Sequence, residues 1–119
     1  MELLVKKTTE LTDVEINRLV EIFNIVFEGH ARSEHYFRNQ FLNTPMGYSI
    51  HVLMYKDDMI VGSQSYVPFY ANADEKQLKF VVGVDSMVLK QYRDFEDYLD
   101  MVSCGRKYLK DNGYSVNIG

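Results

Sequence analysis

Asp85 is the residue whose type and setting most invite chemistry. It breaks the apolar run Val81-Val82-Gly83-Val84 and precedes Ser86. A carboxylate in such a strand can serve as a general base when burial disfavours its charged form and raises its affinity for a proton. The competing reading is an ordinary strand aspartate, satisfied by a neighbour or by water. The histidines offer less. His51 falls in an alternating apolar segment, where it reads as a sheet residue, and His30 and His35 straddle a helix break at a spacing that makes no metal site. Cys104 is the only cysteine, so neither an internal disulfide nor a CxxC site exists, and its mid-helix position suits a small buried hydrophobe. Ser86 and Ser103 lack the strand-turn-helix setting of an activated serine. The tyrosines, Tyr48, Tyr55, Tyr66, Tyr70 and Tyr92 among them, could line a groove or donate a proton; most should be half-buried sheet residues.

The composition narrows what such groups can act on. With 13 Lys and Arg against 17 Asp and Glu, the 119-residue chain carries a formal charge of −4 and shows no basic stripe, which argues against a nucleic-acid partner. Apolar residues nowhere run for the roughly 18 to 20 positions that span a bilayer, and the N-terminal segment lacks a signal-peptide cleavage site. A reducing, cytoplasmic setting is expected, without membrane contact. A single domain over 1–119 is expected, because a chain of this size buries roughly two thirds of its unfolded surface and no linker or repeat divides it.

Hydropathy periodicity orders the elements that must position these groups. Residues 2–6 read as a strand. Thr12 and Glu15 have the spacing of a reciprocal capping box, and Val14 to Phe27 follow at helical steps, predicting a helix over about 13–28 that Gly29 ends. Ser33 caps a second helix through Asn43, stopped by Pro45 and Gly47. The period then changes. A strand from Tyr48, a turn at Asp57-Asp58, a return strand over 59–70, a polar turn over 71–76 and a third strand over 78–89 predict an antiparallel meander. Pro68 marks a bulge, an edge, or the point where pairing stops. A helix over about 94–111 ends at Asn112-Gly113 and leads to a strand over 114–118, expected to run parallel to the third meander strand. The class is α/β, with a mixed sheet.

The stretch Val84-Asp85-Ser86-Met87-Val88-Leu89-Lys90-Gln91-Tyr92-Arg93 resembles the fourth strand and following loop of the GNAT superfamily of N-acetyltransferases. Asn43-Thr44-Pro45-Met46-Gly47 and Ile60-Val61-Gly62-Ser63 support the resemblance. It covers nearly all of the chain and about the first two thirds of a complete acetyltransferase of this type, so the acyl-CoA N-acyltransferase fold is expected, truncated after the fifth strand. The resemblance implies transfer of an acetyl group from acetyl-CoA to a primary amine on a small molecule or peptide, with Asp85 as the base. It also implies that the backbone of Met87, Val88 and Leu89 pairs with the pantetheine arm. Arg93 and the turn Asp94-Phe95-Glu96-Asp97-Tyr98 would then meet the pyrophosphate. Family members build that turn with glycines, so that backbone can approach the phosphates; here Asp94 and Glu96 stand in those places. Three carboxylates at a helix start favour the helix by about 0.3 to 1 kcal/mol each and occupy the place of an incoming anion. Arg106, Lys107 and Lys110 suit its other end. A non-catalytic binding or regulatory module on the same scaffold is the alternative. A third is an interaction protein, self-associating or completed by another chain along the edge of the last strand.

Overall fold

The computed structural model describes residues 1–29, 31–74 and 76–118; His30, Glu75 and Gly119 lie outside them. Five strands form one sheet in sequential order: β1 (Glu2–Lys7), β2 (Ile50–Lys56), β3 (Met59–Ala73), β4 (Lys76–Val88) and β5 (Tyr114–Ile118). The first four are antiparallel neighbours, and β5 runs parallel to β4, as the strand-helix-strand order predicts.

Helix α1 (Asp13–Val26) begins where the capping box predicts, with the Thr12 hydroxyl accepting from the Glu15 amide and the Glu15 side chain reaching back. Ser33 caps α2 (Glu34–Leu42) in the same way, through the Tyr36 amide. Helix α3 (Phe95–Asp111) ends before Gly113, whose φ of +80° suits glycine. No described helix is long and apolar enough to cross a membrane.

Every residue from Ile50 to Met54 is buried, so β2 is covered on both faces. His51 stacks on Phe37 and meets Phe41 edge-on, which puts α2 on one face. Alternation turns Ile50, Val52 and Met54 to the other, where α3 packs against β1, β2, β3 and β5. His51 itself lies between two hydroxyls, Thr8 Oγ1 at 2.7 Å from Nε2 and Ser65 Oγ at 2.7 Å from Nδ1. Burial holds its pKa down at about 3, so it is a neutral core residue.

Two details of the meander differ from the sequence pattern. The polar tract is mostly strand rather than turn: Ala71, Asn72 and Ala73 pair with Leu78, Gln77 and Lys76. Pairing of β3 with β2 stops at Tyr66, while pairing with β4 continues. Pro68 therefore lies where β3 has no β2 partner and is the edge of the sheet, so its missing N–H costs nothing on that side. The second detail is a bulge in β4. Ser63 is opposite Met87 and Ser65 opposite Val84, so Gln64 faces both Asp85 and Ser86. Asp85 takes φ +52°, a left-handed conformation that aspartate tolerates better than most residues. The Gln64 side chain donates to the carbonyl of Val84, 3.4 Å away, beside the disturbed ladder. Gly62 is required nearby, since a Cβ there would lie 2.9 Å from the Met87 carbonyl oxygen.

Candidate functional site

The bulge separates two adjoining concavities. One, of about 480 Å³, follows β4 past Ser86, Met87 and Val88 to Arg93, Asp94, Phe95 and Tyr98 at the start of α3, with Val26, Phe27 and Met54 as its apolar wall. The other, of about 580 Å³, is lined by Phe23, Phe27, Gly29, Ala31, Arg32, Tyr36 and Asp85. Phe27 belongs to both, and Asp85 and Ser86 are consecutive. The two concavities therefore adjoin at the bulge.

The first concavity lies along β4 beyond the stretch that pairs with β5. Among the described residues that pairing covers Lys79–Val82. Backbone direction along β4 alternates. The Leu89 amide donates to the Val61 carbonyl of β3, so Leu89 faces inward, and Val88, one residue earlier, turns its N–H and C=O away from β3. Of Met87, Val88 and Leu89, expected together as a backbone edge, only Val88 points its polar groups outward. Its carbonyl already accepts from Arg93 Nε at 2.9 Å. Leu89 does not line the groove, and Met87 does so by its side chain on a buried strand.

The helix start beyond the groove is closed by its own residue. Asp94 is the N-cap of α3, and its Oδ1 accepts from the amides of Glu96 at 2.9 Å and Asp97 at 3.1 Å. These are the donors a phosphate would use. Asp97 pairs with Lys56 Nζ at 2.8 Å, outside the groove, and Glu96 is exposed. Phe95 lies 74% exposed at the mouth. The residues present thus fit an extended apolar arm along Val88, but the amides at the helix start do not fit a pyrophosphate while Asp94 holds them.

Asp85 governs the second concavity. Its Oδ2 accepts from Arg32 Nη1 at 2.7 Å and from Gln40 Nε2 at 3.3 Å, while neither donor reaches Oδ1. Arg32 is 8% exposed and Asp85 17%. The guanidinium lies 3.5 Å from the Phe23 ring centre and 5.2 Å from that of Tyr36, an aromatic sandwich that adds cation–π attraction to the ion pair. Its backbone is clasped by Asn24, whose side chain donates to the Arg32 carbonyl and accepts from the Arg32 amide. Sequence reasoning missed Arg32, Gln40 and Asn24. Arg32 stands 53 positions before Asp85, and no periodicity links them.

The remaining candidates are structural. Cys104 packs against the core, where burial pushes its thiol pKa up. Tyr66 is buried against Gly105 of α3, and the Tyr48 and Tyr114 hydroxyls bond each other at 2.7 Å. Among the described residues no three His, Cys, Asp or Glu side chains gather as metal ligands.

No family model and no curated protein matches the sequence. Solved structures do match the fold. A probable N-acyltransferase from Enterococcus faecalis V583 superposes with TM-score 0.73 at 13% identity, over 98% of this chain and 28% of that one. The chain thus spans little more than a quarter of that protein. A GNAT family acetyltransferase from Staphylococcus aureus gives 0.68 at 11% identity, over 99% of this chain and 85% of that one. An aminoglycoside acetyltransferase from an uncultured soil metagenomic sample, solved with sisomicin, gives 0.68 at 15%, over 98% and 75%. The strand order, the bulge in β4 and these superpositions identify the fold as that of the GNAT acyl-CoA N-acyltransferases.

Proposed function

We propose that this domain transfers an acetyl group from acetyl-CoA to a primary amine. The observation that carries the reading is the meeting of the two concavities at the bulge. A donor arm along Val88 and an acceptor beside Asp85 would be brought together across Phe27, and holding two reactants in contact supplies much of the rate of a bimolecular transfer. Acetyl-CoA would supply an activated acyl thioester. Val88 would hold the arm by its backbone, with Met54, Met87, Phe95 and Tyr98 excluding water around it. The Asp85 carboxylate would face the incoming amine through Oδ1 and draw its proton, directly or through water, as the amine nitrogen bonds to the acyl carbon. The C–S bond would break, and the departing sulfur would take a proton back through water to leave as the thiol.

A second reading rests on Asp94. Because its carboxylate fills the helix-start donors, the scaffold could serve as an amine-binding module without a donor. Acetyl-CoA titration followed by calorimetry separates the two. The wild-type chain is expected to bind weakly, and Asp94→Gly with Glu96→Gly to bind about tenfold more tightly, since two negative charges leave the path of an anionic ligand. Thiol release with a panel of amines should rise with that affinity. Tight binding by the wild type would show that Asp94 yields to the ligand. Failure of both proteins to bind would favour the amine-binding module.

A further inference from the structure

Arg32 and Gln40 each carry a buried polar atom without a partner among the described residues: the donor Arg32 Nε and the acceptor Gln40 Oε1. Buried polar groups are almost always paired, and of these two residues Arg32 lines the cleft, so its orphan donor calls for an acceptor on a ligand there. Both residues hold the same Asp85 oxygen, which fixes them as neighbours. The Gln40 amide cannot exchange its ends to escape, because its oxygen would then face the carboxylate. Arg32 is also anchored rather than tethered loosely, given the two-bond clasp of Asn24 and the aromatic sandwich.

Charge selects further. A simple cationic amine entering this cleft meets a guanidinium beside the carboxylate, and a simple anion meets the carboxylate beside the guanidinium. A ligand with both charged groups on one carbon matches the pair. We infer that the cleft takes a free α-amino acid with an apolar side chain, Arg32 clasping its carboxylate and Asp85, held by Gln40, facing its amino group. Arginine is the side chain suited to this, as its planar fork offers several donors in fixed directions. Phe23 and Phe27 supply the apolar wall, and Tyr36, 56% exposed, covers the guanidinium from the solvent side and can turn aside for entry. The amino acid would be the amine acceptor of the proposed reaction; its binding does not depend on that reaction.

Calorimetry without acetyl-CoA tests the inference, using L-phenylalanine, L-phenylalaninamide, which lacks the carboxylate, and 3-phenylpropionate, which lacks the amine. Phenylalanine is expected to bind at least about tenfold more tightly than either relative, because only it pairs with both charges. Arg32→Lys should remove the preference over the amide. Asn24→Ala leaves the ion pair intact and should weaken phenylalanine binding several-fold with the fold retained, which guards against an Arg32 variant that fails to fold. Equal binding of the three probes, binding of none, or a preference that survives in folded Arg32→Lys would overturn the inference and leave the two orphan atoms to ordered water. Assays of acetyl transfer separate the two claims. Carboxylate-dependent binding without transfer would refute the acetyltransferase reading alone, and transfer to phenylalaninamide and phenylalanine alike would refute the amino-acid reading alone.

Discussion

Asp85 and Asp94 lie close in sequence at the two ends of the same loop-forming stretch, yet they are satisfied in opposite ways. Asp94 is exposed and bonds only to amides two and three residues ahead, an arrangement any helix start can make alone. Asp85 is mostly buried and is held by residues of the α1–α2 region 45 and 53 positions away. The first aspartate therefore reports local helix chemistry, and the second reports the assembled fold. The contrast also divides the two concavities. The groove along β4 ends in a self-sufficient cap, whereas the cleft beside Asp85 is built from a tertiary ion pair with hydrogen-bonding capacity to spare.

Removing Asp85 should have the largest effect. Asp85→Ala strands the buried Arg32 guanidinium, and loss of one partner of a buried pair costs about 3 kcal/mol. Urea unfolding should show that loss, with Asp85→Asn between the variant and the wild type. A cost near zero would mean that Arg32 is solvated and the cleft open.

Acid comes next, because His51 has burial without a counter-charge. Unfolded, it binds a proton near pH 6.5; folded, only near pH 3. Between those values the unfolded state holds more protons, so stability falls as pH falls, by about 2 kcal/mol from pH 6.5 to 5. Glu15 adds a further loss at lower pH. Burial alone would raise its carboxyl, but bonds from Lys6, the Thr12 amide and Tyr55 hold it below the ordinary range. Chemical denaturation at several pH values checks the slope, which His51→Gln should flatten between pH 6.5 and 5.

The smallest effect should come at Asp94. Asp94→Ala removes the cap of α3 at about 1 kcal/mol, and Asp94→Gly costs only a few tenths, since the N-cap position tolerates glycine. Thermal melts should rank the two in that order. A loss from Asp94→Ala as large as that from Asp85→Ala would end the distinction between local and tertiary satisfaction.

Local physics made much of the fold legible. The Thr12–Glu15 box and the Ser33 cap start their helices where the spacing says, and Asp57-Asp58 turns the β2–β3 hairpin with both residues at positive φ. The parallel placement of β5 followed from the connecting helix. The polar tract misled because Ala71 and Asn72 face no second sheet neighbour; a two-stranded extension has little surface to bury and needs no apolar pattern. The candidate site was legible only in part. Asp85 stands out against its valines, and Asp94 and Glu96 against the glycines of the family that the stretch resembles. Nothing local marks Arg32, Gln40 or Asn24.

The sequence by itself determined the helices, the strands apart from the polar tract over 71–76, their order, and the acidic cap on α3, because those depend on periodicity and on contacts within a few residues. Tertiary structure alone decided the bulge that turns Asp85 toward Arg32, the inward direction of Leu89 against the outward one of Val88, and the orphan atoms of Arg32 and Gln40. Each of these depends on pairing register or on burial between distant segments. A shift of one residue in a strand reverses which edge its backbone faces, and a carboxylate gains its partner only when the helices close over the sheet.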